Sequence, residues 1–212
     1  MFSRKHLIPA LSLAVGLGLA VPVQADQKHH ATPPAPVSAA ATQDALRDLW
    51  IGHVFWVRSV AVATIDGNKP AAKAAEDQVV ANAKAIAGAI EPFYGKAASD
   101  KLFGLLAGHY GAIKEYLDAR GKPAQDAAWK KIGANADAIA VFLSGANPNL
   151  PKDTLLALLV AHGGHHVQQI NQLRAKDYAG EAQTWQHMTQ HMYVIADALT
   201  GAIAKQFPAK FS

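Results

Sequence analysis

Hydrophobic residues recur at helical spacing along most of this chain. From Thr42 onward, apolar positions follow the i, i+3, i+4, i+7 pattern in segments of about 20 residues, as in amphipathic helices. Glycine and proline clusters separate these segments, as expected where one helix ends and the next begins. No segment alternates as a half-buried strand would, so we expect an all-α fold, a bundle of six helices. The predicted helices span residues 43–65, 70–91, 98–120, 124–144, 151–175 and 181–205.

The polar positions reveal an internal repeat. The pattern Leu-x-x-Leu-x-x-x-His occurs three times and ends at His53, His109 and His162. In the predicted helix that follows each copy, a second polar residue lies in a similar apolar setting. These second polar residues are Asn82, Asn135 and His191. The repeat predicts three helical hairpins of about 55 residues each, packed into one helical bundle.

The repeated histidines lie on the faces that the leucines mark as buried. Residues at i−7, i−4 and i share one face of an α-helix, so each histidine occupies a position where an apolar side chain is usual. Burying a polar group without a partner costs about 1–3 kcal/mol. Two explanations stay open. The histidines could bond to neighbouring helices and set their register, or they could converge as a metal site, since imidazole is a common metal ligand.

Composition narrows the chemistry available to such a site. The chain of 212 residues has no cysteine, ten histidines and three methionines. The absence of cysteine excludes disulfides, thiolate metal sites and iron–sulfur clusters. No glycine-rich phosphate loop, nucleophile elbow or paired-carboxylate signature is present either. A strong metal site in this chain would therefore have to be built from imidazoles, with methionine as an optional soft ligand.

The third hairpin concentrates the histidines. His162 and His166 are four residues apart on one helix face, and the next helix repeats this spacing with His187 and His191. The two pairs can face each other in a hairpin. The candidate metal ligands are His53, His109, His162, His166, His187 and His191, with His165, Met188 and Met192 as further candidates and Asn82 and Asn135 as polar neighbours.

Two glycines and two methionines of this hairpin bear on the same site. Gly163 and Gly164 lie in mid-helix, where glycine is unfavourable, and so predict the close approach of another helix or of a ligand. Met188 and Met192 could fill the core or act as thioether ligands. Thioether ligation would favour copper.

The segment His162-Gly-Gly-His-His-Val-Gln-Gln-Ile170 resembles the helix motif of the DinB-like superfamily. That resemblance implies a helical bundle with a metal held by three histidines. Here they would be His162 and His166, with His53 or His109 from an earlier helix. It also implies a metal-dependent enzyme, a hydrolase or thiol transferase, as one possible function. The wider chain resembles an uncharacterised group of exported bacterial helical proteins, through features such as the Pro92-Phe-Tyr-Gly95 turn.

The N-terminal segment is typical of an exported protein. Residues 1–25 predict a secretory signal peptide, with a positive start, a short apolar run and a small-x-small site that would be cleaved after Ala25. Residues 26–41, rich in proline and alanine, predict a disordered linker that carries His29 and His30. A single helical-bundle domain would then occupy residues 42–212. We expect a periplasmic or secreted location.

These patterns lead to one main functional hypothesis. We expect an exported transition-metal-binding protein that handles or senses a metal ion, copper or zinc, rather than an enzyme. The alternatives are the DinB-like enzyme and a structural or partner-binding bundle whose histidines are satisfied internally. Removal of the signal peptide would lower the formal net charge of +4 by two, and no Lys/Arg run points to nucleic acid. The mature chain shows no predicted membrane span.

Overall fold

The structure, a computed structural model, describes residues 38–211. The predicted signal peptide and nearly all of the predicted linker lie outside the described residues. The described part is all-α, as predicted, and contains no strand. None of its helices is long and apolar enough to span a bilayer. The helices are α1 (Ala39–Ile65), α2 (Lys69–Tyr94), α3 (Lys96–Asp118), α4 (Lys122–Ala146), α5 (Lys152–Ala175) and α6 (Tyr178–Gln206), followed by a short 3₁₀ helix (Pro208–Lys210).

The first helix begins earlier than its apolar pattern indicates. The Ser38 side chain accepts a hydrogen bond from the backbone N–H of Ala41 and so caps a helix that starts at Ala39. A serine at this position satisfies one of the free N–H groups of the first turn. Residues 39–41, which the sequence placed in the linker, are therefore helical.

The junction between α2 and α3 is shorter than predicted. Helix α2 continues through Pro92 to Tyr94, and a single residue, Gly95, connects it to α3. Gly95 has φ of 80°, a left-handed conformation that glycine adopts at little cost. The proline removes one hydrogen bond in the last turn of α2 without ending the helix, whereas the glycine reverses the chain.

The six helices form a closed bundle with three helices inside. Each helix packs against its neighbours in the chain, and α6 returns to pack against α1. Helix α5 also contacts α1 and α3 directly. Because the connections are only one to five residues long, consecutive helices run in opposite directions. The first helices of the three hairpins, α1, α3 and α5, therefore run the same way and carry the repeated histidines.

The apolar core is divided into two clusters along the inner helices. The first core cluster includes Leu46 and Trp50 of α1, Leu102 and Leu106 of α3, and Leu155 and Leu159 of α5. The second core cluster includes Val57 and Val60 of α1, Ala112 and Ile113 of α3, and Ile170 and Leu173 of α5. The repeated histidines occupy the positions between these two groups on all three helices. A layer of imidazoles thus interrupts an otherwise hydrocarbon core.

The C-terminal segment is docked on the bundle. Phe211 stacks on Phe93 with 5.5 Å between ring centroids, and Phe207 lies against both Phe93 and Tyr94. The hydroxyl of Tyr94 donates a hydrogen bond to Gln206. These contacts cover the end of the bundle where α2 and α6 finish.

One of the two mid-helix glycines of α5 is explained by packing. A Cβ atom added at Gly163 would lie 2.6 Å from Cγ2 of Ile132 on α4, closer than real contacts allow. A Cβ atom at Gly164 would meet nothing within 4 Å. The predicted close approach of another helix is therefore confirmed at Gly163, and it joins the second and third hairpins beside the histidine layer.

This difference between adjacent glycines predicts opposite effects of the same substitution. Gly163→Ala should lower the free energy of unfolding by about 1–3 kcal/mol, because the added methyl group overpacks the α4–α5 contact. Gly164→Ala, its matched control, should raise the free energy by up to about 1 kcal/mol through helix propensity. Urea unfolding of both variants measures the two values. Equal effects of the two substitutions would contradict the packing argument.

Candidate metal centre

The histidines of the three repeats converge inside the bundle. His53 on α1, His109 on α3 and His162 on α5 form a triangle of rings. Their centroids are 6.1 Å apart for His53 and His109, 5.7 Å for His53 and His162, and 5.3 Å for His109 and His162. The convergence follows from the fold, since each residue has the same register on one of three parallel inner helices.

His166 adds a fourth imidazole from the next turn of α5. Its ring centroid lies 4.5 Å from that of His162, 5.9 Å from that of His53 and 6.1 Å from that of His109. Each of the four rings offers one nitrogen, and these four nitrogens all lie within 4.8 Å of one another. All four side chains are buried, with no more than 4% of any residue exposed. Together they form the four-histidine cluster.

Most ring nitrogens of the cluster have no hydrogen-bond partner. Burial without a partner costs about 1–3 kcal/mol for each polar group, so an internally satisfied structural role would require bonds that the described residues do not make. The unpartnered atoms are Nε2 of His53, Nδ1 and Nε2 of His109, Nδ1 of His162 and Nε2 of His166. The cluster therefore presents converging lone pairs or N–H groups to its own centre.

Burial keeps the imidazoles uncharged. Desolvation, with a smaller contribution from the neighbouring His109, lowers the pKa of His53 to about 3. Desolvation lowers the pKa of His109 to about 4, although the nearby amide of Asn135 partly opposes the shift. The pKa values of His162 and His166 fall well below the usual value, through burial first and through neighbouring histidines second. At neutral pH the four rings are therefore available as neutral ligands.

The second polar residue of each repeat donates a hydrogen bond to the backbone of the preceding helix and is not part of the four-histidine cluster. Asn82 donates from Nδ2 to the carbonyl of Leu49 at 2.9 Å, and Asn135 donates to the carbonyl of Leu105 at 3.0 Å. In the third hairpin, Nε2 of His191 donates to the carbonyl of Leu158 at 2.8 Å. Each acceptor lies four residues before a cluster histidine. The pairs are Leu49 and His53, Leu105 and His109, and Leu158 and His162.

These polar residues were expected on the buried face, but they are half-buried between the two helices of a hairpin. Small residues make room for the two asparagines. A Cβ atom added at Gly52 would lie 3.0 Å from Nδ2 of Asn82, and one at Gly108 would lie 3.2 Å from Nδ2 of Asn135. The asparagines therefore tie the outer helix of each hairpin to the backbone of the inner helix, one turn from the histidine.

The remaining histidine candidates of the third hairpin lie outside the four-histidine cluster. His191 uses Nε2 for the carbonyl of Leu158. His165 is half-buried with its ring centroid 5.5 Å from that of His191, and His187 is exposed. The structure thus brings together four of the six main candidates, and the second pair of histidines does not face the first. The reason is the rotation of α6, which directs His191 at the α5 backbone.

Met188 and Met192 are fully buried in the first core cluster. They lie there with residues such as Leu155, Leu159 and Ile195. This location is the one expected if both methionines fill the core, which was one of the two open alternatives. The unbranched thioether side chain fits irregular apolar spaces of this kind.

The structure also contains an ion pair, with one buried partner, that the sequence analysis did not predict. Glu181 on α6 is 3% exposed and binds Arg58 through two hydrogen bonds of 2.6 and 2.7 Å. Gln169, three residues after His166, donates to the same carboxylate at 3.0 Å. The signal was present in the sequence, because Glu181, Thr184 and Met188 share a helical face with the apolar residues of α6.

Comparison with known proteins identified no relative of this chain. No protein-family model matched it, and neither did any curated protein or solved structure. The DinB-like resemblance stays a prediction that rests on the segment from His162 to Ile170. The function therefore has to be argued from the geometry of the cluster.

The low pKa values predict that the metal-free protein loses stability in weak acid. Unfolded histidines take up protons below pH 6.5, whereas the buried ones resist protonation until pH 4 or below. The unfolded state then binds more protons, so the free energy of unfolding should fall progressively as the pH drops from about 6.5 toward 4.

Denaturant unfolding of the metal-free protein at several pH values between 7.5 and 4.5 measures this dependence. A His109→Leu variant should show a shallower loss because it removes one of the titrating groups. The exposed His187→Ala variant should keep the slope of the parent protein. A parent protein whose stability does not change between pH 7 and 5 would contradict the prediction.

Proposed function

We propose that this protein is an exported transition-metal-binding protein, that it handles or senses the ion rather than catalysing a reaction, and that the four-histidine cluster is its site. The observation that carries the proposal is the convergence of four buried imidazoles with unpartnered ring nitrogens. A bound ion would accept the lone pairs that the protein leaves without partners. The predicted signal peptide supports export, and a chain without cysteine has imidazole as its strongest ligand type.

The donor set favours copper or zinc. Among the described residues the cluster contains only histidines, with no carboxylate in the group. Imidazole suits zinc and copper, whereas magnesium and calcium prefer oxygen ligands. Metal–nitrogen bonds of about 2.0–2.1 Å place tetrahedral ligand nitrogens roughly 3.3 Å apart. Nitrogens that already lie within 4.8 Å of one another need only small ring movements to reach that geometry.

The number of ligands favours binding over catalysis. Catalytic zinc sites keep three protein ligands and leave a position open for water or substrate, whereas structural sites use four. The DinB-like resemblance implies three histidines, and this chain has a fourth at the same centre. The internally satisfied structural bundle is disfavoured by the unpartnered nitrogens of the cluster. A metal-holding function accounts for both features.

Metal analysis of the purified mature chain tests the proposal. Protein dialysed against copper or zinc should retain about one ion per chain, measured by elemental mass spectrometry. His162→Ala and His166→Ala should each weaken metal binding, because three of the four imidazoles remain. The double variant should abolish it, because only two remain. The matched controls are His165→Ala and His187→Ala from the same hairpin, which should retain the full ion.

The outcomes separate the possible sites. Retention of metal by the double variant of His162 and His166, with an affinity equal to that of the parent protein, would place the site elsewhere. Loss in the His187→Ala control would favour the surface of α6. A parent protein with no bound metal would overturn the proposal. Circular dichroism of each variant shows that the bundle is folded, so that loss of metal reports on ligation.

A further inference from the structure

An apolar cavity adjoins one side of the four-histidine cluster. It lies within the first core cluster, and His53, His109 and His162 contribute to its wall. The rest of the wall is mainly hydrocarbon and extends to Tyr94 and Asn147 at the end of the bundle. Representative lining residues are Leu46, Ile86, Leu106, Ala136, Ile139 and Leu159.

The size and chemistry of the cavity define what it can hold. Its free volume is about 50 Å³. One water molecule needs roughly 10–15 Å³ of such space, and an apolar cavity of about 150 Å³ can hold benzene. Water also requires two to four polar partners, which the hydrocarbon part of the wall does not supply. The polar groups of the wall are the imidazoles and, at the end of the bundle, Tyr94 and Asn147. The space therefore suits an uncharged molecule larger than water and smaller than benzene, such as a diatomic gas.

The cavity meets the cluster on a defined side. His53, His109 and His162 line it, whereas His166 does not. His166 lies one turn further along α5, in the direction of Ile170 and the second core cluster. The triangle of repeated histidines therefore has His166 on one side and apolar space on the other.

We infer that the cavity binds a small uncharged molecule of diatomic size, such as dioxygen, carbon monoxide or nitric oxide, and holds it against the triangle of His53, His109 and His162. Binding in the cavity depends on the cavity alone. Coordination of the molecule to an ion in the cluster rests on the proposed function. This contact would require copper. Because Cu(I) holds about four ligands, the molecule would have to take the place of one of the four histidines at the ion.

A surface cleft adjoins the cavity. This cleft, of about 350 Å³, lies between α5 and α6 and includes Thr154, Asp197 and Gly201 in its wall. The cleft and the cavity share four wall residues, namely Leu150, Leu155, Leu158 and Ala198. Only these side chains therefore separate the cavity from the cleft on this side.

Xenon binding to the metal-free protein tests the cavity without any metal. Xenon is an uncharged apolar probe that occupies dry cavities. In methyl-labelled protein, xenon pressure should shift the NMR signals of Ile86 and Ile139 several times more than those of Ile132 and Ile170. The first two residues lie in the wall, and the last two are equally buried in the second core cluster.

Filling the cavity should remove this response. Ala136 lines the cavity, whereas Ala140, one turn later on α4 and also fully buried, does not. Ala136→Val should reduce the xenon shifts of Ile86 and Ile139 several-fold, and the matched control Ala140→Val should preserve them. Leu106→Phe is a second filling variant, used if Ala136→Val does not fold.

Carbon monoxide tests the contact with a metal ion. Protein loaded with Cu(I) under anaerobic conditions should show a C–O stretching band in the infrared, and Ala136→Val should weaken or shift it while Ala140→Val leaves it unchanged. Elemental analysis of the same samples shows whether copper is bound. Absence of copper would overturn copper as the bound ion and the contact between the gas and the ion, and would leave the xenon result to decide the cavity.

Three further outcomes decide whether the cavity binds a small molecule and whether that molecule contacts the ion. Equal xenon shifts in the two core clusters, or shifts that survive both filling variants, would overturn binding in the cavity. Bound copper with xenon binding but without a carbon monoxide band would overturn the contact between the gas and the ion. Loss of both signals in the filling variants alone would support the inference in full.

Discussion

The rest of the structure depends on one constraint, which is the cost of burying four imidazoles between two hydrocarbon clusters. Most of the ring nitrogens of these four histidines have no hydrogen-bond partner. Each such group opposes folding by about 1–3 kcal/mol, and the apolar clusters on either side must offset this cost. The low pKa values of His53 and His109 are a consequence of the same burial. Leucine at these positions would avoid this cost, so the layer supports the proposed metal-binding function.

The two polar positions of the repeat have different roles in this layer of histidines. The first position supplies a ring to the centre, and the second ties an outer helix to the inner backbone one turn away, as Asn82 and Asn135 do. The tie runs to a backbone carbonyl of the inner helix, so it holds the two helices of the hairpin together one turn from the imidazole. His191 performs the same task in the third hairpin, which explains why a histidine at that position is not part of the cluster.

Much of this arrangement could be predicted from the sequence, and the misses share a physical cause. Helical periodicity and the Leu-x-x-Leu-x-x-x-His repeat were sufficient for six helices. They left the convergence of His53, His109 and His162 as one of two explanations for the buried histidines, and the structure shows that these residues do converge. The same periodicity indicates which face of a helix is buried, but it does not indicate which residues of the neighbouring helices that face contacts. The periodicity therefore allowed His187 and His191 to face His162 and His166, whereas in the structure Nε2 of His191 bonds to the carbonyl of Leu158 and His187 is exposed. Nor did it indicate Arg58 as the partner of Glu181, a charged residue on an apolar face. Helix ends shifted where a cap such as Ser38 outweighed the apolar pattern.

The asymmetry of the third repeat gives the centre two different sides. Three hairpins with one histidine each would produce a symmetric triangle with similar surroundings above and below. His166 adds a ring on the side of the second core cluster, while the first core cluster keeps an apolar cavity against the other side. One additional histidine, four residues after the repeated one, thus raises the number of donors to four and also leaves a single side of the triangle open to small apolar molecules. Duplication of a hairpin, followed by the gain of one histidine in one copy, is sufficient to convert a symmetric layer of histidines into a site whose two sides differ.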